Sequence, residues 1–571
     1  MPTTPWSVPE PDTDLDPDQP RGGSAAVGRR VPGDHLIGQE SGSGRDAPED
    51  TLSPGEREPE KSRRTVRIQW LGLAAGALLG LLVYLMMPGE VPHEARLTAA
   101  TAVLMAAWWM TEAVPIPATA LVPLIVFPTL GSTPLDDVGA SYGNNVIFLF
   151  MGGFLLALAM QRWNLHRRIA LLTVRLIGTR PPQMIAGFMV ATGFLSMWVS
   201  NTATAVMMLP IGISVLLLVS SASDELDESS ADGDADGGAA SAQDLADAPQ
   251  KPVTSNFGTA LMLGIAYAAS IGSLGTIIGT PPNTLLVGYM SSTHDVQIGF
   301  GQWMIVGVPL AVAMMVFCWF LLTKIVFKPE IDEIPGGKKL IDDELAKLGR
   351  TSNGEKRVLT IFVLAAFAWV FVPLITGWVG LETAPITDAG IAMLVGLLLF
   401  LLPAGANRGV RLLDWDSALK LPWGVLLLFG GGLALSAQFS TSGLTDWIAE
   451  VAAGLGGLPV VLLVVLFAGG ILFLTELTSN TATAATFLPV AGGVALGLGL
   501  DPMLLAIPVA LAATCAFMLP VATPPNAIAY GSGYVTIPQM IRGGFWLNMV
   551  GLVLITLVTV TLAAWVFGIV Y

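Results

Sequence analysis

The chain has 571 residues, of which 53% are apolar and only 12% are charged, and its formal net charge is −15 at pH 7. Soluble domains carry about 25% charged residues, so this composition excludes an ordinary soluble protein and indicates an integral membrane protein. The two cysteines, Cys318 and Cys515, lie in apolar runs without metal-type spacing, so neither a disulfide framework nor a cysteine-bound metal is predicted.

The chain begins with a polar segment. Residues 1–64 are rich in Pro, Gly, Asp, Glu and Ser and contain no apolar core, so they predict a disordered cytosolic tail rather than a signal peptide. The first transmembrane helix is predicted at 68–87, since about 18 apolar residues suffice to cross a bilayer.

Apolar segments follow in two groups, separated by a charged cytosolic linker at 328–357. The first group comprises predicted spans at 97–111, 116–132, 144–162 and 302–327, a basic amphipathic stretch at 165–179, interrupted segments at 182–219 and 257–291, and an acidic cytosolic loop at 220–256. The second group comprises predicted spans at 358–379, 388–403, 421–439 and 544–569, an interfacial stretch at 443–455, and interrupted segments at 458–499 and 502–535.

The positions of Lys and Arg predict the orientation of the chain. These residues cluster after the fourth span and in the 328–357 linker, whereas the loops near 133–143 and 291–301 contain neither. Because cytoplasmic loops carry the excess of Lys and Arg, we expect eleven crossings, with the N-terminus in the cytoplasm and the C-terminus outside. This count requires 182–219 and 458–499 to enter and leave on the same side, as re-entrant hairpins.

A polar interruption occurs twice. The sequence SNTATA begins at Ser200 and again at Ser479, which lies 279 positions later. At the same offset, VIFLFMGG from Val146 pairs with VLLLFGGG from Val425. One unit of sequence is therefore present in two copies, with SNTATA at the tip of each predicted hairpin.

A second paired motif supports the repeat. GTPPN at Gly279 matches ATPPN at Ala522, 243 positions on, and the shorter offset reflects the acidic loop that only the first copy contains. Residues 97–327 and 358–569 thus form two repeats, each with five crossings and one hairpin. Because five is odd, the repeats are inverted relative to each other, and inverted repeats with helices broken at mid-membrane are the architecture of secondary transporters.

The interruptions have the chemistry of ion sites. Irregular backbone is tolerated at membrane depth only where it is buried in protein or lines a cavity. Ser, Asn and Thr side chains at a hairpin tip, with free N–H groups at the start of the next helix, suit a carboxylate or sulfate oxygen. The prolines of TPPN lack N–H donors and disfavour helical geometry before them, which leaves carbonyls near Gly279 and Ala522 free to face a cation such as Na⁺.

The polar residues of the interruptions and the nearby acidic residues have alternative interpretations. Small and hydroxyl residues also serve helix packing, which would explain one SNTATA but not two paired copies. Glu476, whose counterpart in the first repeat is Met197, is a candidate for tuning the site or carrying a proton, with a structural role as the alternative. Glu112 lies near a span end and is expected to cap or pack there. No HExxH, GxSxG or Walker A motif is present, so neither an enzyme nor an ATP-driven pump is expected.

The segments SMWVSNTATAVMMLP, GTPPN, SNTATAATFLP and LPVATPPNAIAYGSGY resemble the divalent anion/sodium symporters, which include Na⁺-coupled di- and tricarboxylate carriers and sulfate carriers. The resemblance covers about residues 68–571. It implies an all-α polytopic protein of the plasma membrane that forms a homodimer. Each protomer would contain a scaffold domain and a transport domain, and the transport domain, with both hairpins and both broken helices, would move like an elevator.

Matched by motif, the resemblance implies two Na⁺ sites and one substrate site. The first Na⁺ site would consist of Ser196, Ser200, Asn201 and the Gly279 carbonyl, and the second of Thr475, Ser479, Asn480 and the Ala522 carbonyl. The substrate would contact Ser200, Asn201, Thr202, Ser479, Asn480, Thr481, Thr523 and Pro524. No basic residue lies at either tip, which fits co-binding of Na⁺ with a dianion, where each neutralises the field of the other.

The predicted function is Na⁺-coupled symport of a C4 dicarboxylate such as succinate, malate or fumarate. Transport of sulfate or another divalent oxyanion is one alternative, and proton-coupled or exchange transport of the same anions is another. Na⁺ is the expected coupling ion, and no organic cofactor is expected. The expected partners are the small dianion, the lipid bilayer and a second copy of the chain, with no nucleic acid.

Overall fold

The computed structural model describes residues 63–230, 255–331, 333–334, 336–380, 384–405, 408–455 and 457–570. Within these ranges the chain forms helices joined by short loops, with no β-strand and one isolated bridge between Pro403 and Arg411. The predicted all-α fold is therefore confirmed for the described part of the chain. Residues 1–62 of the predicted tail and 231–254 of the predicted acidic loop lie outside the described residues.

The described helices of the first half precede the charged linker. They are α1 Arg63–Met86, α2 His93–Thr111, α3 Ile116–Thr119, α4 Val122–Leu130, α5 Leu135–Ala140, α6 Asn145–Arg162, α7 Leu165–Ile177, α8 Pro181–Ser196, α9 Asn201–Ser230, α10 Asn256–Ser273, α11 Pro281–His294 and α12 Phe300–Phe320. A 3₁₀ turn at Ser141–Gly143 precedes α6, and a π-helical turn at Leu321–Val326 extends α12.

The described helices of the second half begin in the linker itself. They are α13 Gly337–Lys347, α14 Asn353–Val379, α15 Asp388–Leu401, α16 Trp415–Ala418, α17 Trp423–Thr441, α18 Leu444–Ala452, α19 Val460–Thr475, α20 Asn480–Gly497, α21 Met503–Thr514, α22 Pro524–Gly531, α23 Ile537–Val558 and α24 Ala564–Phe567. A 3₁₀ turn at Ala453–Leu455 follows α18, and a π-helical turn at Thr559–Ala563 joins α23 to α24.

Seven described helical segments are long and apolar enough to cross a membrane, by length and composition alone. They are Gln69–Met86, Leu135–Arg162, Asn201–Val219, Phe300–Val326, Asn353–Val379, Trp423–Thr441 and Ile537–Phe567. Shorter apolar helical segments lie at Ile116–Leu130, Asp388–Leu401, Val460–Thr475 and Met503–Thr514. A polytopic membrane protein is therefore confirmed, whereas the count of eleven crossings and the assignment of 182–219 and 458–499 as hairpins stay predictions.

The interrupted segments break at or shortly before the paired motifs. In the first repeat α8 ends at Ser196 and α9 begins at Asn201, and in the second α19 ends at Thr475 and α20 begins at Asn480. We call the four residues between these helices the first tip (197–200) and the second tip (476–479). The broken helices are interrupted between α10 and α11, at 274–280, and between α21 and α22, at 515–523, and we call these segments the first and second break.

Several predicted boundaries differ from the structure. The span at 116–132 is two helices, α3 and α4, because Pro117 and Pro123 each lie in a first turn, where proline starts a new helix readily. The first eleven residues of the predicted acidic loop, 220–230, continue α9. The second break begins at residue 515 rather than near Ala522, because α21 ends at Thr514.

The linker at 328–357 is held against α7 by ion pairs. Arg167 contacts Glu344 at 2.5 Å and Arg175 contacts Asp342 at 3.0 Å, which ties the basic face of α7 to α13. Arg168 pairs with Glu355 at 2.8 Å, in the first turn of α14. The pKa of the Glu344 carboxyl lies below its ordinary value because the side chains of Lys347 and Arg167 donate to it. The linker is therefore partly helical and docked, and α14 begins before the predicted position 358.

The half-helices α10 and α21 are buried along their length. Every residue from Phe257 to Ser273 and every residue of α21 is buried. The approach of α8 to α10 is close enough to require glycine, since a Cβ on Gly272 would lie 2.2 Å from the backbone oxygen of Gly193. Backbone atoms pack here without intervening side chains, so α8 and α10 form one packed unit.

We expect Gly272→Ala to destabilise the protein. A methyl group at this position must displace the backbone of α8, and overpacking of this kind costs about 1–3 kcal/mol. The variant should therefore unfold at a lower temperature than the wild-type protein in detergent. Gly470→Ala is the matched control, because no atom lies within 4 Å of its Cβ position in α19. Equal unfolding temperatures for the two variants would contradict the close packing of α8 on α10.

Candidate functional site

Both paired motifs line one cavity of about 900 Å³. The lining from the tips and breaks consists of Ser200, Asn201, Thr202, Gly279, Thr280, Pro281, Thr478, Ser479, Asn480, Thr481, Ala522, Thr523 and Pro524. The rest of the lining is largely apolar and includes Trp109, Phe150, Phe154 and Val425. Two motifs 279 positions apart in the chain and two others 243 apart therefore meet at a single site.

The cavity lacks a cationic side chain. Among the described residues that line it there is no Lys, Arg or His, and Glu112 is the one ionisable group. Glu112 is exposed and follows the last residue of α2 with a left-handed backbone, φ 47°, so it lies at a helix end as predicted. An anion bound here would have to be stabilised by hydroxyl, carboxamide and backbone N–H donors, or by cations bound with it.

Helix N-termini supply N–H donors at both tips. In α20 the first N–H to bond within the helix is that of Thr483, to the Ser479 oxygen, and the Ser479 side chain makes no capping bond. The N–H groups of the first three residues of α20 therefore have no intrahelical partner, and two of these residues, Asn480 and Thr481, line the cavity. In α9 the corresponding bond runs from Thr204 N to Ser200 O, and Ser200 Oγ accepts from Ala203 N at 3.3 Å.

A buried hydroxyl lies behind the first tip. Ser196 is fully buried, and its Oγ lies 3.2 Å from Asn201 Oδ1 and 2.5 Å from the Ala269 oxygen of α10. Ser196 does not line the cavity itself. It joins the end of α8, the start of α9 and the last turns of α10, and it brings two residues of the predicted first Na⁺ site, Ser196 and Asn201, into contact.

The second tip repeats this arrangement. Thr475 is fully buried, and its Oγ1 lies 2.8 Å from Asn480 Oδ1 and 2.9 Å from the Ala513 oxygen of α21. The hydroxyl predicted at this position in place of serine is therefore used in the same way. The two repeats agree in side-chain contacts as well as in sequence.

The last residue of each TPPN motif organises its break. Asn283 Nδ2 donates to the carbonyl of Thr276 at 2.9 Å and to that of Leu274 at 3.3 Å. Asn526 Nδ2 donates to the carbonyls of Ala516 and Leu519, both at 3.1 Å. Both side chains are fully buried. The two asparagines hold backbone carbonyls of the breaks in place of the missing helical hydrogen bonds.

The sequence analysis did not predict these asparagines as site residues. The signal that could have identified them is the asparagine that ends both TPPN motifs. The first break also contacts the end of α21, because Thr280 Oγ1 lies 3.3 Å from Thr514 Oγ1 in the buried interior. That contact joins residues 234 positions apart, and no local pattern indicates it.

The predicted carbonyl ligands lie at the buried edge of the cavity. Gly279 and Ala522 are both buried and both line it. A Cβ on Gly279 would be 2.3 Å from the Ser273 oxygen, so the close backbone approach in the first break requires glycine. The second break is two residues longer, and it accommodates the alanine at the equivalent position.

The donor set fits a hard monovalent cation. Ser, Thr and Asn side chains and backbone carbonyls provide oxygen atoms only, and hard cations prefer oxygen. The Oδ1 atoms of Asn283 and Asn526 are buried acceptors without a hydrogen-bond partner. In the described part of the chain, no three His, Cys, Asp or Glu residues are grouped as a transition-metal site would need. The residues present therefore suit Na⁺ better than a transition metal.

Glu476 lies outside the cavity lining, and both of its carboxylate oxygens accept hydrogen bonds. Its Oε1 accepts from Phe517 N at 2.7 Å, Met518 N at 3.0 Å and Asn548 Nδ2 at 2.7 Å. Its Oε2 accepts from Met518 N at 3.0 Å and Leu519 N at 3.2 Å. The side chain is 3% exposed. The carboxylate therefore binds a run of consecutive N–H groups in the second break, which favours the structural alternative for this residue.

The first repeat uses a different contact at this position. Thr276 Oγ1 in the first break donates to the Met197 carbonyl, and the Met197 side chain packs against Gly275. The first break is shorter, and a threonine hydroxyl links it to its tip. The second break is longer, and a carboxylate from the tip binds it instead.

The chain matches known membrane transporters over most of its length. The family described as the sodium:sulfate symporter transmembrane region matches residues 68–569. The sodium-dependent dicarboxylate transporter SdcS of Staphylococcus saprophyticus is 42% identical over 508 residues, which cover 88% of this chain and 92% of that protein. SdcS of Staphylococcus aureus strain USA300 is 42% identical over 505 residues, with the same coverage.

Two solved transporter structures are looser matches. YdaH of Alcanivorax borkumensis has a TM-score of 0.46 and 16% identity, covering 88% of this chain and 98% of that one. MtrF of Neisseria gonorrhoeae, described among antimetabolite efflux pumps, has a TM-score of 0.47 and 11% identity, covering 88% and 95%.

The family match begins within α1 and ends after α24, so it spans both repeats and every residue of the cavity lining. Its relatives at 42% identity extend over most of both chains. This multi-pass membrane protein belongs to the sodium:sulfate symporter family of transporters.

Proposed function

We propose that the protein carries a C4 dicarboxylate such as succinate, malate or fumarate across the plasma membrane together with Na⁺. The observation that carries this proposal is the single cavity lined by both tips and both breaks, without a Lys or Arg among its described lining residues. Relatives at 42% identity are named sodium-dependent dicarboxylate transporters, which supports the same substrate class.

The two tips suit the two ends of a dicarboxylate. Ser200, Asn201 and Thr202 would contact one carboxylate, and Ser479, Asn480 and Thr481 the other. Each triplet offers hydroxyl and carboxamide donors and free N–H groups at a helix start, where the helix dipole also favours an anion. Thr523 and Pro524, on the wall formed by the second break, would lie beside the substrate.

Each tip and its break would hold one Na⁺. The first site would use Ser196, Ser200, Asn201 and the Gly279 carbonyl, and the second Thr475, Ser479, Asn480 and the Ala522 carbonyl. The contacts of Ser196 with Asn201 and of Thr475 with Asn480 support these groupings. Two cations would neutralise the dianion, so cations and substrate would bind with positive cooperativity.

An elevator-like motion of the hairpins and broken helices is part of the proposal, as are a homodimer and a cytoplasmic N-terminus. The bonds from Ser196 to α10 and from Thr475 to α21 support the movement of each tip together with its broken helix. The contact between Thr280 and Thr514 joins the two halves of that unit. The site would then cross the membrane without changing its internal geometry.

Sulfate is the second candidate substrate. The description of the matched family names sodium and sulfate. Sulfate is also a divalent oxyanion that hydroxyl and N–H donors can bind. Proton coupling through Glu476 has less support, because both oxygens of this carboxylate already accept N–H hydrogen bonds outside the cavity lining.

The coupling ion and substrate can be tested together in proteoliposomes. We expect an inward Na⁺ gradient to drive accumulation of labelled succinate, and replacement of Na⁺ by choline to abolish it. Excess unlabelled malate or fumarate should compete strongly, and excess sulfate weakly. Uptake that is unchanged in choline would refute Na⁺ coupling, and stronger competition by sulfate than by malate would reassign the substrate.

The asparagines of the two tips should both be essential. Asn201→Ala and Asn480→Ala each remove a carboxamide that contacts the buried hydroxyl and lines the cavity. A hydrogen bond to a charged group contributes about 1.5–3 kcal/mol, so we expect at least about a tenfold loss of uptake in each variant. The control is Asn256→Ala, at the exposed start of α10. Wild-type uptake in either tip variant, with normal folding, would contradict a substrate site formed by both tips.

Replacement of Glu476 separates its structural role from a proton role. Glu476→Gln places an NH₂ group against backbone N–H donors, which costs about 1–3 kcal/mol for each bond left unmade. We expect a lower unfolding temperature and a higher Na⁺ concentration for half-maximal uptake, with a pH profile shaped like that of the wild-type protein. Glu450→Gln, on the exposed face of α18, is the control. Loss of a wild-type pH dependence at unchanged stability would instead favour proton coupling.

A further inference from the structure

A second cavity, of about 430 Å³, lies at the end of α12 and is lined by basic side chains. Arg180, Lys324 and Lys328 contribute three positive charges, and Glu333 contributes one negative charge. Arg180, Lys324 and Lys328 are all exposed, and no ion pair to any of the three is present among the described residues. The cavity therefore carries a net positive charge that no protein carboxylate in the described chain neutralises directly.

The walls of this cavity are fixed by hydrogen bonds. Trp319 Nε1 donates to the Pro182 carbonyl at 2.9 Å, which holds the end of α12 against the first turn of α8. Glu330 accepts from Asn256 N at 2.6 Å and from Phe257 N at 3.1 Å, which anchors the segment after Lys328 to the start of α10. The basic side chains thus surround a preformed space between three elements. Preformed sites bind with a smaller entropic cost than flexible ones.

An apolar stripe leads away from the cavity along α12. Val312, Val316 and Phe320 are 56%, 58% and 49% exposed. Lys324 follows Phe320 by four residues, and a spacing of four keeps side chains on one face of a helix. The exposed surface therefore changes from apolar to cationic at the point where the membrane-crossing segment Phe300–Val326 ends.

A polar cation cluster at the end of an apolar stripe matches the two parts of a phospholipid. Basic pockets between transmembrane helices on the cytoplasmic side bind anionic headgroups, and juxtamembrane Lys and Arg attract anionic lipids. A free phosphate would use the basic cluster but would gain nothing from the stripe.

We propose that this cavity, which we call the α12 pocket, binds the phosphate of an anionic phospholipid, with an acyl chain along Val312, Val316 and Phe320. Arg180, Lys324 and Lys328 contact the phosphodiester, and Glu333 disfavours headgroups with additional negative charge. Because α8 is an arm of the first hairpin, the lipid contacts both that arm and α12. The inference does not depend on which anion the protein transports.

The test uses the purified full-length protein in detergent, with the unfolding temperature as the readout. Phosphatidylglycerol should raise the unfolding temperature of the wild-type protein by several degrees, since a ligand of the folded state stabilises it by mass action. Phosphatidylcholine, inorganic phosphate and glycerol 3-phosphate should each give less than half of that shift.

The variant R180Q/K324Q/K328Q should lose more than half of the phosphatidylglycerol shift. The matched control is K356Q/R408Q/K420Q, which removes three exposed cations outside the pocket and should keep the shift. Each single substitution, which disturbs the fold less, should reduce the shift partially, and E333Q should keep or increase it.

Three results would overturn the proposal. An equal shift in the pocket variant and in the control variant would assign the effect to charge in general. An equal shift with inorganic phosphate would identify a soluble-anion site rather than a lipid site. No shift with phosphatidylglycerol in the wild-type protein, together with no lipid retained in native mass spectra, would show that the pocket does not bind the lipid.

Discussion

Backbone polar groups at membrane depth must be paired within the protein, and the two helix breaks are where this requirement is hardest to meet. Asn283 meets it in the first break and Asn526 in the second, each by donating to carbonyls that the interrupted helix leaves free. The breaks can then remain irregular while buried, with Gly279 and Ala522 at the edge of the cavity. The proposed ion sites depend on this pairing, since it determines which backbone oxygens face the tips.

The two repeats satisfy this constraint with different side chains. In the first, a threonine hydroxyl of the break donates to the tip backbone, and in the second, Glu476 of the tip accepts from consecutive N–H groups of the break. The two sequence copies thus make similar contacts through Ser196, Thr475 and the asparagines but differ in charge. A carboxylate adjoins Thr475 in sequence, whereas Met197 adjoins Ser196. For the two proposed cation sites, this places a negative charge behind the second and not the first, so their affinities should differ.

Much of the site could be predicted from the sequence because its signals are local or repeated. SNTATA and TPPN contain their own helix-breaking chemistry, and α9 and α20 begin within one residue of the predicted interruption. The partners of Glu476 could not be predicted, because they lie 41 to 43 positions away in the break and 72 positions away at Asn548. The docking of α7 on the linker was also not predicted, since charged surfaces do not specify which opposite charge they meet.

The chemistry of the cavity lining explains why transport would be coupled. A dianion that leaves water for a cavity lined by hydroxyls, carboxamides and helix N-termini loses hydration that neutral donors restore only in part. A Lys or Arg in the lining would supply a permanent positive charge in place of the lost hydration, and the anion could then bind without a cation. With none among the described lining residues, and with the exposed carboxylate of Glu112 in the lining, cations that bind with the substrate would supply the missing charge. Coupling is then a consequence of the lining itself, because a cavity without bound cations is electrostatically unsuited to the dianion.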